Sequence, residues 1–184
     1  MSPIIGVIDS AKTGRLSTTS YEAIGTYQGT GSSGNIVFSS IPSTYQHLEL
    51  RILSQTNRVG NPTGSGSIWF NGDTTNTNYY THSLYTQGSS PGGTFSANAN
   101  YAVWWYGSTA SSVPAIIRIN NYANSNMKKV AQLLTGYDAN GSGAVGWTSF
   151  MWNNTTTVSS ITIDPAGQNF LSTARFSLYG IKGS

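Results

Sequence analysis

Residues 45–53 read Tyr45-Gln46-His47-Leu48-Glu49-Leu50-Arg51-Ile52-Leu53, and apolar and polar side chains alternate along them. The alternation places three aliphatic side chains on one face: Leu48, Leu50 and Ile52. It places three polar side chains on the other: His47, Glu49 and Arg51. Successive side chains of a strand point to opposite sides of a sheet, so this pattern is typical of a β-strand with one face in the core. The segment therefore predicts an all-β domain built around this strand.

Similar strand signals recur along the chain, with turn signals between them. They cover residues 35–38, 68–70, 79–85, 101–106, 113–121, 145–152, 158–163 and 175–181. Residues 127–135 fit either a strand or a helical turn, because the spacing of Val130, Leu133 and Leu134 suits both. Residues 86–93 are rich in Gly, Ser and Pro and are predicted to form a loop.

Short strands at regular spacing predict an antiparallel β-sandwich of the jelly-roll-like kind. We assign residues 1–20 to an extended N-terminal arm and residues 21–184 to a single sandwich domain. The predicted core consists of apolar side chains on inner sheet faces: Leu48, Leu50, Ile52, Ile117, Ile161, Phe176 and Leu178.

The composition excludes several functional classes. Charged residues make up 8% of the 184 residues, with nine Lys and Arg against six Asp and Glu. Phosphate binding needs a cluster of cations, whereas here Lys128-Lys129 is the only adjacent pair, so nucleic acid is not an expected partner. Cysteine is absent, which excludes disulfides and thiolate metal sites. No apolar run reaches membrane-spanning length, so membrane insertion is not expected.

The motifs that could carry chemistry are better explained as turns. Residues 29–34 and 141–146 match G-x-G-x-x-G, but strand-like residues follow both, whereas the dinucleotide motif opens a helix. Residues 71–74 and 138–142 resemble the start of a calcium loop, yet Asp, Asn and Gly also favour turns. Asn71-Gly72 is predicted to be a hairpin turn. No catalytic, cofactor or metal-binding residue is assigned, and the chain is not expected to be an enzyme.

Aromatic residues make up 12% of the chain and allow two interpretations. Five of them could form a stacking platform for glycans: Trp104, Trp105, Tyr106, Trp147 and Trp152. Alternatively, some rings fill the core and the others a subunit contact, which aromatic residues also favour. The second interpretation is favoured, because a strand buries every second side chain.

The N-terminal segment differs from the rest of the chain. It carries four apolar side chains close together: Ile4, Ile5, Val7 and Ile8. Pro3 and Gly6 interrupt this patch, so no long regular strand is expected. Two interpretations remain open, an edge strand of the domain and an arm that docks on a partner.

Four stretches together resemble a family of small structural proteins of tailed bacteriophages of aquatic bacteria. They lie at residues 38–51, 70–74, 136–143 and 174–183, and read FSSIPSTYQHLELR, FNGDT, GYDANGSG and ARFSLYGIKG. The likeness covers residues 20 to 183, and its motifs are turn and strand signatures. It supplies no catalytic residues.

The resemblance implies a non-enzymatic component of the virion surface, synthesised in the host cytoplasm. Because the chain is one module without shaft repeats, we expect a capsid decoration protein, of the cement or head-fibre type. The alternative is a tail fibre or tail-associated module that recognises host glycans. The expected partners are other virion proteins and further copies of the chain, with a trimer as one option.

Overall fold

A computed structural model describes residues 20–183, except for residues 33, 61, 63, 98–103 and 141; of residues 104–106 it describes the backbone. The predicted arm, apart from Ser20, therefore lies outside the described residues. These residues contain twelve strands: β1 (Tyr21–Gln28), β2 (Ile36–Phe38), β3 (His47–Ser54), β4 (Gly64–Phe70), β5 (Tyr79–Gln87), β6 (Ser90–Ala97), β7 (Trp104–Tyr106), β8 (Val113–Asn120), β9 (Lys129–Asp138), β10 (Gly143–Trp152), β11 (Ile161–Asp164) and β12 (Arg175–Ile181).

The strands form two sheets with antiparallel neighbours. The large sheet has eight strands in the order β1-β12-β3-β8-β9-β10-β5-β6, and the small sheet has four in the order β2-β11-β4-β7. A short 3-10 helix (Asn76–Asn78) precedes β5. No helix among the described residues has the length and apolar character needed to cross a bilayer. The prediction of an all-β, antiparallel sandwich is confirmed.

The core lies between the two sheets and has the predicted register. All seven predicted core side chains are at most 4% exposed. The strand that led the prediction, β3, lies inside the large sheet between β12 and β8. Its even-numbered residues face the small sheet, so a shift of register by one residue would turn this apolar set outward.

Aromatic rings join the two sheets at one end of the core. The ring of Phe70, in the small sheet, lies 5.7 Å from that of Phe150 and 5.8 Å from that of Trp152, both on β10. The Tyr79 hydroxyl accepts a hydrogen bond from the Phe70 amide at 3.0 Å and donates to the Asp73 carbonyl at 2.9 Å. The buried hydroxyl is thus fully satisfied, which fixes the connection between β4 and β5.

The Asn71-Gly72 turn connects the two sheets, so its prediction as a hairpin turn was wrong. Both residues have positive φ, 52° and 69°, as such a turn requires. However, β4 belongs to the small sheet and β5 to the large one. The Asn71 side chain stabilises this connection between the sheets, because its Oδ1 accepts hydrogen bonds from the amides of Ser159 and Ser160 at 2.8 and 3.0 Å. These bonds hold the turn against a distant loop.

Other segments correct or resolve the sequence predictions. Residues 90–97 form β6, an edge strand, where a loop was predicted through residue 93. The ambiguous segment around residues 127–135 is a strand, β9. The first G-x-G-x-x-G stretch lies in the connection between β1 and β2, as predicted, whereas the prediction of a turn was wrong for residues 143–146, which begin β10; neither stretch opens a helix.

A fully buried lysine, Lys129, connects two loops. Its ammonium donates hydrogen bonds to the carbonyl oxygens of Met127 and Thr155, both at 2.9 Å, and to that of Asn124. Asn124 and Met127 precede β9 in the chain, whereas Thr155 follows β10. Three acceptors match the three N–H donors of an ammonium, so the buried charge is solvated by the backbone.

Candidate functional site

A row of exposed apolar side chains crosses four neighbouring strands of the large sheet. The ladder places Ile116 opposite Leu134, Leu134 opposite Trp147, and Trp147 opposite Leu84. These four side chains are 42%, 55%, 54% and 66% exposed, in that order. They lie on the side of the sheet that faces away from the small sheet, because their chain neighbours Ile117, Leu133 and Thr148 are buried.

Two further side chains widen this row. Val145 and Phe95 are 51% and 59% exposed and lie two residues from the row on β10 and β6. We call the outward surface formed by six residues the apolar face: Leu84, Phe95, Ile116, Leu134, Val145 and Trp147. Four of the six are direct cross-strand neighbours, and Val145 and Phe95 lie at diagonal positions within reach of the row on the same side of the sheet, so the six form one surface.

Trp147 stands at the centre of the apolar face, between two shallow hollows. The hollow toward β6 has a volume of about 490 Å³ and is lined by His82, Phe95 and Ser149 among others. The hollow toward β8 has a volume of about 240 Å³ and is lined by Ile116, Arg118 and Gln132 among others. Both hollows combine an aromatic or aliphatic wall with polar groups capable of hydrogen bonding.

A buried carboxylate borders the apolar face on β3. Glu49 is 1% exposed, although it points to the outer side of the sheet. Its Oε1 accepts a hydrogen bond from Arg51 Nε at 2.8 Å, and its Oε2 accepts one from Arg118 Nε at 3.0 Å. The Tyr21 hydroxyl donates to Oε2 at 3.2 Å. The alternation of the strand places this carboxylate outward, and the side chains of its neighbours cover it.

The arginines dominate the electrostatics of Glu49. Burial by itself raises the pKa of a carboxyl group, but the hydrogen bonds from Arg51 and Arg118 and the charge of Arg51 outweigh it and hold the pKa of Glu49 below its ordinary value. Arg51 also lies over two rings, 5.7 Å from the centre of Tyr21 and 5.1 Å from that of Tyr179. The carboxylate is therefore ionised and engaged at neutral pH, and it serves to orient the arginines.

We expect Glu49→Gln to lower the free energy of unfolding at neutral pH by about 1–2 kcal/mol, because it removes charge-assisted hydrogen bonds from arginines that water can then solvate. Since the folded-state pKa of Glu49 is lowered, its contribution is complete above the ordinary value of 4.5 and is lost as the pH falls through the folded-state pKa. Urea unfolding at neutral pH and at about pH 3 tests both statements, because the difference between the proteins should shrink in acid.

The matched control is Glu22→Gln, which makes the same change in a half-exposed ion pair with Lys182. Exposed ion pairs contribute little, so this variant should unfold like the wild type. Equal effects of the two substitutions at neutral pH would contradict the structural role of Glu49.

The structure separates the five aromatic residues that were predicted to stack on glycans. Trp147 is exposed on the apolar face. Trp152 is 2% exposed, and its indole N–H donates to the Asp73 carboxylate at 2.7 Å, so it belongs to the core and is removed from the predicted set. Residues 104–106 form β7, which pairs with β4 in the small sheet; their side chains, and the predicted docking residues Ile4, Ile5, Val7 and Ile8, lie outside the described part of the structure.

Sequence reasoning missed the aliphatic members of the apolar face. A signal for two of them was present, because Ile116-Ile117 and Leu133-Leu134 each place two large aliphatic residues side by side in a strand. One member of such a pair must point away from the core. Leu84 had no comparable signal, because its chain neighbours are Ser83 and Tyr85.

The Asp73 carboxylate, in the turn that resembles a calcium loop, accepts hydrogen bonds from the protein itself. It accepts them from the Thr75 amide at 2.9 Å, the Asn78 amide group at 2.8 Å and the Trp152 indole. Burial raises the pKa of Asp73, but these bonds outweigh it and lower the pKa below its ordinary value. Among the described residues, no group of three His, Cys, Asp or Glu side chains is placed to hold a metal ion.

No protein-family model matches the chain, and no curated protein matches it. Among solved structures, the carbohydrate recognition domain of Emp47p is similar over 88% of this chain and 89% of that chain, with 10% sequence identity and a TM-score of 0.26. A structural likeness at this TM-score carries no argument about the function of this chain.

Proposed function

We propose that the protein is a non-enzymatic structural component of a bacteriophage particle surface, and specifically a capsid decoration protein. The observation that carries this proposal is the apolar face, an open sheet surface suited to contact between the subunits of an assembly. Large exposed apolar patches mark contact surfaces in soluble proteins. The resemblance of residues 38–51, 70–74, 136–143 and 174–183 to virion proteins supports the location.

Two of the four stretches contact each other in the structure. The first and last pair with each other in β3 and β12, where Gly180 lies opposite Leu48. A Cβ atom on Gly180 would lie 2.3 Å from the Tyr45 ring, so the two stretches pack where only glycine fits. The resemblance therefore rests on residues that determine the fold, which supports a shared architecture and leaves the partner to be tested.

The test uses phage particles assembled without the protein. We expect the added full-length chain to sediment with these particles and its label to appear on the capsid in electron micrographs. A chain lacking residues 2–16 should melt at the same temperature, because Pro3 and Gly6 make a long regular strand unexpected there, but should not bind the particles. A full-length chain that stays in the supernatant, or a label confined to the tail, would contradict capsid decoration.

Glycan recognition is the second candidate, and one observation favours it. Trp147 is exposed between hollows that also present Gln132, Arg118 and Ser149, a combination of ring and hydrogen-bonding groups suited to sugars. The same labelled chain is applied to host cells. Binding that free host polysaccharide competes away, and that Trp147→Ala abolishes, would support this candidate over capsid decoration.

A further inference from the structure

We infer that the apolar face is the contact surface for a second copy of this chain. The inference concerns the free protein in solution and does not depend on a place in a virion. It rests on three properties of the face: its shape, its lack of charge and its area.

The shape of the apolar face offers both halves of a complementary contact. The Trp147 side chain, 54% exposed, stands between the hollow that contains Phe95 and the hollow that contains Ile116. A protruding ring and recesses next to it lie on the same surface. Two copies can therefore place the Trp147 ring of each against a recess of the other. A contact between identical subunits needs such a self-complementary surface.

The charge distribution favours a like partner. From Val130 to Gly136 on β9, and on the outward sides of β10, β5 and β6, no Lys, Arg, Asp or Glu is present among the described residues. Charges border these strands at Arg51 and Arg118, which Glu49 engages, and at Asp138 at the end of β9. A surface with net charge of one sign would repel its own copy, so the absence of charge from these strands removes that obstacle to self-association. A nucleic acid or a strongly charged protein would gain nothing here.

The area of the apolar face is close to what a stable pair needs. Its six side chains expose roughly 600 Å², at the upper end of what monomeric proteins leave in water. A standard interface buries about 800 Å² on each partner. The uncharged residues that border the face, including Gln132, Ser149 and Thr86, supply the difference.

The test measures the mass of the full-length chain by sedimentation equilibrium over a range of concentrations. We expect a reversible oligomer, and we expect Trp147→Glu and Leu134→Glu each to raise its dissociation constant at least 100-fold. Val59→Glu is the matched control, because Val59 is 86% exposed outside the apolar face and receives the same charge. This control should associate like the wild type, and circular dichroism verifies that every variant is folded.

A second measurement places no charge in the apolar face, so it does not depend on whether the glutamate variants fold. The chain has no cysteine, so Ser149→Cys and Ser112→Cys each introduce a unique thiol, one beside Trp147 and one away from the apolar face. Reaction of the Ser149→Cys thiol should slow at least tenfold as the concentration rises, while that of Ser112→Cys stays constant. A chain that remains monomeric at millimolar concentration, or an oligomer that neither glutamate variant weakens, would overturn the inference. Such a result would leave the particle-binding test unaffected.

Discussion

Replacing Lys129 by methionine is expected to lower the free energy of unfolding by about 3 kcal/mol. Methionine fills most of the space of the lysine stem, but it leaves three carbonyl oxygens, those of Asn124, Met127 and Thr155, without their donor. A buried acceptor that loses its partner costs about 1–3 kcal/mol, and the surface position of the loops allows water to replace part of the loss. Urea denaturation gives the free energy directly.

The chain provides a matched control one residue away. Lys128 is exposed, so Lys128→Met makes the same change without uncovering a carbonyl group. Its effect should stay within about 0.5 kcal/mol. If Lys129→Met proved as stable as Lys128→Met, the ammonium would contribute nothing to the two loops, and its three hydrogen bonds would be incidental.

Replacing Gly107 by alanine is expected to destabilise the fold by at least about 3 kcal/mol, the upper range for an overpacked core. A Cβ atom there would lie 2.2 Å from the Ser54 carbonyl oxygen and 2.5 Å from that of Ser111. Both are backbone atoms, so no side chain can rotate away. The same residue accepts a hydrogen bond from the Thr56 hydroxyl at 2.5 Å, and it directly follows β7. Thermal denaturation should show a large drop in the melting temperature.

Gly34→Ala serves as the control for this prediction. No atom lies within 4 Å of a Cβ built on Gly34, and its φ lies outside the positive range. Its melting temperature should match that of the wild type. Similar melting temperatures for the two variants would show that the end of β3 at Ser54 and the loop at Ser111 can move apart at little cost.

The inner face of the sandwich could be predicted from the sequence because alternation alone determines it. Leu48, Leu50 and Ile52 lie in the core as expected, and the strand around them has its predicted register. Strand β6 escaped prediction because Pro91, Gly92 and Gly93 indicate a loop by local preference. It is a strand because β5 provides a partner ladder over its full length, which is a tertiary effect.

The candidate site was only partly predictable. Positions 147 and 152 differ by an odd number, so two tryptophans of one strand must face opposite sides, and the alternation could have assigned one of them to the core. Which one stays exposed depends on where the small sheet lies, and that requires the topology. The burial of Glu49 was not predictable, because it depends on Arg118 and Tyr21 from distant parts of the chain.

The pairing of the first described strand with the last has a mechanical consequence. Tyr21 lies opposite Ile181, Gln28 lies opposite Arg175, and the Lys182 amide donates to the Ser20 carbonyl at 3.1 Å. Both ends of the described chain thus leave the sheet at the same corner. Tension between them loads the Tyr21–Ile181 pair first and opens the ladder one pair after another, whereas shear would load all its hydrogen bonds together. A pull transmitted through residue 20 would detach β1 while the core between the sheets stays assembled.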